Sequence, residues 1–124
     1  MNPKVYSRAV GVVLLLLGAI GLVQNPLMGM DLSKRHSAVH LVTGALLAFV
    51  GFTGASESLT KNVVLAFGVV YAALGVCGFF MSPMVPGLRI YYPDPIVNVI
   101  HIVVGLAGVA AAMMGGAGAA SKTA

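Results

Sequence analysis

Four long apolar stretches alternate along the chain with short segments that contain the charged residues. The apolar stretches cover residues 9–23, 37–52, 63–81 and 96–114, and none of them contains Lys, Arg, Asp or Glu. A helix needs about 20 mainly apolar residues to cross a bilayer, and the first stretch approaches this length when it is extended back to Val5. The pattern therefore predicts four transmembrane helices.

The segments between the apolar stretches contain residues that end and begin helices. Gln24, Asn25 and Pro26 follow the first stretch, and Asp94 precedes Pro95 at the start of the fourth. Asp is a good N-cap residue, and proline fits the first position of a helix because its missing N–H has no partner there. The glycine- and alanine-rich tail, residues 115–124, is predicted to be disordered.

The first and third stretches contain the same pattern at a constant offset of 57 residues. Gly11-Val12-Val13, Leu17-Gly18, Gly21 and Pro26 recur as Gly68-Val69-Val70, Leu74-Gly75, Gly78 and Pro83. Identities at one spacing indicate an internal duplication. The second and fourth stretches extend the match, because His40-x-x-x-Gly44 recurs as His101-x-x-x-Gly105.

The duplication predicts an architecture. We expect one repeat at about 5–53 and a second at about 62–114, each with two spans, so that both enter the membrane from the same side. Such parallel repeats are related by a pseudo-two-fold axis along the membrane normal, which places His40 and His101 at equal depth. The predicted fold class is an all-α integral membrane four-helix bundle built from two parallel two-helix repeats.

Composition excludes several function classes. Hydrophobic residues make up 59% of the 124 residues and charged residues only 8%, against about 25% charged in a typical soluble domain. A soluble enzyme, a nucleic-acid-binding protein and a disordered chain are therefore not expected. The net charge of +4 comes from basic residues that flank the spans, which indicates contact with the bilayer surface.

The basic residues also predict an orientation. Four of them lie on the side of the termini and three on the side of the first and third loops: Lys4, Arg8, Lys61 and Lys122 against Lys34, Arg35 and Arg89. By the positive-inside rule, we expect both termini to be cytoplasmic; the inner membrane of a bacterium is expected only from the family resemblance given below.

Two histidines are the candidates for chemistry, because ionisable residues inside a membrane are rare and usually functional. One interpretation is that His40 and His101 form interhelical hydrogen bonds that hold the bundle together. The other is axial ligation of haem b or another tetrapyrrole, with Ser37 and Asn98 as hydrogen-bonding neighbours. A pigment held by one histidine and a proton relay also stay open.

The remaining residues add little chemistry. Gly44 and Gly105, one turn beyond the histidines, are expected to leave space for a macrocycle and to pack helices. His36 is expected to be solvated at the headgroup boundary beside Lys34 and Arg35, and Cys77 to be an inert small side chain. No catalytic residues and no metal site are predicted, so we expect no enzyme activity.

The doubled motif [Ser/Asn]-x-x-His-x-x-x-Gly, at 37–44 and 98–105, resembles a bacterial family of small four-span membrane proteins, a domain of unknown function. The resemblance covers about residues 8–114, although Ser37 stands where the family usually has Asn. It implies a four-helix membrane bundle and no particular activity.

Two functional hypotheses follow. The first is a non-enzymatic accessory or structural subunit of a larger respiratory, photosynthetic or other membrane complex, in contact with lipid, with other membrane subunits or with copies of itself. The alternative is a bis-histidine haem protein that transfers electrons. A channel or carrier formed by oligomers is a third class, but the spans lack the intramembrane acidic residues that are typical of ion pathways.

Overall fold

The computed structural model describes residues 2–24, 34–80, 84–85, 90–91 and 95–123, and in the two short strands and beyond residue 114 it describes the backbone only. Within these residues it contains four helices and a pair of two-residue strands. The helices are α1 (Pro3–Val23), α2 (Lys34–Phe52), α3 (Glu57–Phe80) and α4 (Pro95–Thr123). Strands β1 (Met84–Val85) and β2 (Ile90–Tyr91) pair antiparallel between α3 and α4.

The predicted all-α four-helix bundle is confirmed, and each helix is long and apolar enough to cross a membrane. Helices α1 and α3 begin earlier than their apolar stretches, and polar residues cap their first turns. Asn2 accepts a hydrogen bond from the backbone N–H of Val5 (2.8 Å), and the Ser56 hydroxyl accepts one from that of Leu59 (3.1 Å). Such caps satisfy backbone donors that have no partner inside the helix.

Helix α4 is longer than predicted. It continues through Thr123, into the tail that the sequence predicts to be disordered. Extension of an existing helix requires no new nucleation, and alanine, frequent in this tail, has the highest helix propensity.

Each hairpin is packed through glycines that allow two backbones to approach closely. A Cβ atom added to Gly11 would lie 2.7 Å from the backbone nitrogen of Ala48 in α2. A Cβ atom added to Gly68 would lie 2.7 Å from that of Val109 in α4. Gly11 and Gly68 are equivalent in the duplication, and so are Ala48 and Val109. The two repeats therefore use the same packing, which is the usual source of helix association in lipid.

The two hairpins are joined by tyrosine hydroxyls. Tyr6 of α1 donates a hydrogen bond to the carbonyl oxygen of Val104 in α4 (2.6 Å), and the hydroxyls of Tyr71 in α3 and Thr43 in α2 lie 3.2 Å apart. Positions 43 and 104 are equivalent in the repeats, but the two tyrosines are not. A buried core surrounds these contacts: Tyr6, Leu14, Leu47, Val64, Phe67, Tyr71, Ala111 and Ala112.

Two basic side chains bond to backbone carbonyl oxygens at one end of the bundle. At the end where α2 finishes, Arg8 Nε donates to the carbonyl oxygen of Gly51 (2.6 Å) and Lys4 Nζ to that of Ala55 (3.0 Å). Cations are favourable there because the C-terminus of a helix carries partial negative charge. At the opposite end, which we call the histidine end, α2 and α4 begin.

Candidate metal centre

Three histidines converge in the interior near the histidine end. One potential ligand nitrogen from each of His36, His40 and His101 lies within 4.8 Å of the other two. Their exposed fractions are only 4%, 5% and 5%. We call these residues the three-histidine cluster.

Helix periodicity and the duplication position the cluster. His36 and His40 are four residues apart on α2, which places them on one face, and their ring centroids are 4.4 Å apart. His101 comes from α4, and its ring lies 5.8 Å from that of His36. His40 and His101 each follow the first residue of their helix by six positions, about 9 Å along the axis. The equal depth that the duplication predicts agrees with this convergence.

The predicted solvated position of His36 is wrong. Its side chain is buried, whereas those of Lys34 and Arg35 are exposed. Since α2 already begins at Lys34, His36 lies one turn before His40 on the buried face of the same helix. The signal that could have identified it is the His-x-x-x-His spacing, which places two imidazoles together on a helix.

Aromatic residues of the core border the cluster. The Tyr71 ring stands edge-on to His101 with centroids 5.3 Å apart, and Phe67 stacks on Tyr71 at 4.1 Å. Thr43 lies three residues after His40 on α2, and its hydroxyl contact with Tyr71 connects the two aromatic rings to that helix. The cluster is therefore buried, with an aromatic ring packed against it on the side of the core.

Ser37 and Asn98 lie beside the cluster as buried residues. Their carbonyl oxygens pack against the equivalent glycines: a Cβ atom on Gly18 would lie 2.8 Å from the Ser37 oxygen, and one on Gly75 would lie 2.6 Å from the Asn98 oxygen. The Asn98 amide contacts position 78 of α3. Among the described residues, Ser37 Oγ, Asn98 Oδ1 and His40 Nδ1 have no hydrogen-bond partner.

The expectation that Gly44 and Gly105 leave space for a macrocycle is wrong. A Cβ atom on Gly44 would lie 2.9 Å from the Leu14 Cβ atom of α1, and one on Gly105 would lie 2.6 Å from the Gly68 carbonyl oxygen of α3. Close backbone contact is the main means of helix association in lipid. The neighbouring helix of each hairpin therefore fills the space beside both glycines, and only their predicted packing role agrees with the structure.

The arrangement provides nitrogen ligands for a transition-metal ion. Imidazole suits zinc, copper, iron and nickel. Ligand nitrogens about 2.0–2.1 Å from a tetrahedral ion lie about 3.4 Å apart, so small ring rotations bring nitrogens that are within 4.8 Å of one another to binding distance. Of the described residues, the only acid is Glu57, which begins α3 at the other end of the bundle. Cys77 is exposed on α3 and does not belong to the cluster.

No family model, curated protein or solved structure matches the chain. The resemblance to a family of four-span proteins stays a prediction from the doubled motif.

Proposed function

We propose that this protein is a non-enzymatic membrane protein that binds one transition-metal ion through His36, His40 and His101. The observation that carries the proposal is the placement of three ligand nitrogens within 4.8 Å of one another in the buried interior. A metal ligand must present a free lone pair, and Nδ1 of His40 has no hydrogen-bond partner among the described residues.

The energetic cost of placing polar side chains inside a membrane also supports a role in metal binding. Polar side chains are expensive inside a membrane, and those that persist usually serve function. Two of the three histidines would be enough for interhelical hydrogen bonds between the repeats, and Tyr6 and Tyr71 already join the hairpins. An ion shared by α2 and α4 gives all three imidazoles a common partner.

Metal content tests the proposal. The protein is produced in medium that contains zinc, copper, iron and nickel, purified in mild detergent and analysed by mass spectrometry for bound metal. We expect about one ion per chain in the wild type and in Val42→Ala, an exposed position of α2 that serves as the control, and none in His40→Ala. Equal metal content in His40→Ala would contradict the proposal.

The haem hypothesis is supported less well by the same geometry. A flat macrocycle would have to lie between His40 and His101, but the His36 ring lies against both of these residues. The spaces beside Gly44 and Gly105 are filled by α1 and α3. After expression with added haem we expect no Soret band; a Soret band that is lost in His40→Ala would replace the metal-ion proposal by haem ligation.

A role as accessory subunit of a membrane complex is our second candidate. The observation in its favour is that nearly all described residues belong to four membrane-spanning helices, so a partner would be contacted mainly through helix surfaces. Affinity purification from native membranes tests it, and stable copurification of another membrane protein is the expected result. A monomer that migrates alone in mild detergent would contradict it.

We also propose a bacterial cytoplasmic membrane as the location, with both termini in the cytoplasm. The support is the excess of basic residues on the side of the termini. In this orientation the three-histidine cluster lies in the outer half of the membrane.

A further inference from the structure

We infer that the three-histidine cluster selects monovalent copper, Cu(I), over divalent ions such as Zn²⁺. This inference rests on the proposed metal site and names its ion. Two independent features of the site lead to it: the number of ligands and the charge of the surroundings.

The number of ligands favours Cu(I). Zinc in proteins is almost always four-coordinate, and where the protein supplies three ligands, water fills the fourth position. The cluster supplies three nitrogens, and the rings of Tyr71 and Phe67 cover its core side. Cu(I) is satisfied by three ligands in a trigonal arrangement, so it needs no water molecule as a fourth ligand in a buried site.

The charge of the surroundings also favours Cu(I). Imidazole ligands are neutral, and the only described acid, Glu57, lies at the opposite end of the bundle. Helices α2 and α4 both begin at the histidine end, and each N-terminus carries roughly half a positive charge. Lys34 and Arg35 add two cations in the first turn of α2.

The consequence follows from the energy of burying an ion. The Born cost of transfer into a low-dielectric interior rises with the square of the ionic charge. A divalent ion without a negative ligand therefore incurs about four times the cost of a monovalent ion of the same size, and it is repelled twice as strongly by the positive helix ends. The site therefore favours the monovalent ion over a divalent one.

Competition experiments test the inference on the full chain in detergent. Cu(I) is titrated without oxygen, with ascorbate as reductant, against bathocuproine disulfonate, and Zn²⁺ is titrated against a chromophoric chelator. The variants are His36→Val, which introduces the residue of the equivalent position 97 in the second repeat, and Val42→Ala, at an exposed position of α2, as the matched control. Helix content and elution volume show that each variant is folded.

We expect the wild type and Val42→Ala to bind Cu(I) at least about 100-fold more tightly than Zn²⁺. In His36→Val the Cu(I) affinity should fall by more than the roughly 10- to 100-fold that is typical for loss of an outer-shell partner. Tighter binding of Zn²⁺ that depends on His36 would overturn the copper preference and leave the proposed metal site intact. Binding of neither ion, or binding that His36→Val leaves unchanged, would overturn both.

A second pair of variants tests the charge argument. The other acidic residues of the chain are Asp31, three residues before α2, and Asp94, directly before α4, and both lie outside the described residues. We expect Asp31→Asn and Asp94→Asn to retain the Cu(I) affinity of the wild type. A loss of affinity in either variant would overturn the inference that the site works without a negative ligand.

Discussion

The ring of His36 lies 5.8 Å from the ring of His101, although the two residues belong to different repeats. His40 is the residue that the duplication relates to His101, whereas the equivalent of His36 in the second repeat is Val97. Duplication therefore accounts for a symmetric pair of histidines, and a single departure from the symmetry converts that pair into a cluster of three.

Restoring the symmetry should create a fourth ligand. Val97 is buried, and the pseudo-two-fold axis places it beside His40 as His36 is placed beside His101. We expect Val97→His to raise the affinity for Zn²⁺ by at least about tenfold, because zinc prefers four tetrahedral ligands. Competition against a chromophoric chelator measures the change. Ile96→His, at an exposed neighbouring position, is the control and should leave zinc affinity as in the wild type.

Metal binding should stabilise the bundle, because only the folded chain brings the three imidazoles together. At a free Cu(I) concentration 100 times the Kd, we expect the free energy of unfolding to rise by about 2.7 kcal/mol. Unfolding by denaturant in detergent, with and without Cu(I), measures this increase. An increase of the same size in His40→Ala would show that the ion acts elsewhere.

Helix packing in the second hairpin should depend on Gly68. A Cβ atom at this position would lie 2.6 Å from the carbonyl oxygen of Gly105, and backbone cannot rotate away as a side chain can. We expect Gly68→Ala to lower the free energy of unfolding by about 1–3 kcal/mol. Gly54→Ala is the matched control, since no atom lies within 4 Å of its added Cβ, and its effect should stay within about 0.5 kcal/mol. Equal effects of the two substitutions would contradict the packing argument.

The hydroxyls of Thr43 and Tyr71 should be energetically coupled across the two hairpins. A double-mutant cycle of Thr43→Val and Tyr71→Phe is expected to give a coupling energy of about 0.6–1.7 kcal/mol, the range found for polar contacts between membrane helices. Unfolding in detergent supplies the four free energies. The pair Thr43→Val and Tyr6→Phe is the comparison, because Tyr6 bonds to Val104, and its effects should add to within about 0.5 kcal/mol. Additive effects of the first pair would show that the hydroxyl contact contributes nothing.

The proposed orientation predicts which loop is accessible from the cytoplasm. Ser58 is exposed at the start of α3, on the same side of the membrane as the termini. In a Cys77→Ala background, Ser58→Cys should react with a membrane-impermeant maleimide only after the cells are permeabilised. Labelling of Ser58→Cys in intact cells would contradict the proposed orientation. The Cys77→Ala chain alone gives the background signal.

Much of the site depends on residues that are identifiable in the sequence. The duplication pairs His40 with His101 and predicts their equal depth, since equivalent positions of parallel repeats lie at the same level. The burial of His36 is not evident from the sequence, because its neighbours Lys34 and Arg35 suggest a solvated turn. Successive residues of a helix are rotated by about 100°, so these three side chains lie on different faces. The packing role of Gly44 and Gly105 can be predicted from the sequence, but the neighbour that each glycine faces cannot, so the expected space for a macrocycle is not found.

Composition, the lengths of the apolar stretches and the repeated motif are enough to predict four apolar helices suited to a membrane and a doubled plan, because segment length and residue polarity decide whether a helix partitions into lipid. Three features depend on which helix faces meet: the convergence of the three imidazoles, the close backbone contacts at the glycines and the packing of the Tyr71 ring against His101. Those contacts join distant parts of the chain, and a local pattern carries no information about the partner that will occupy the other side.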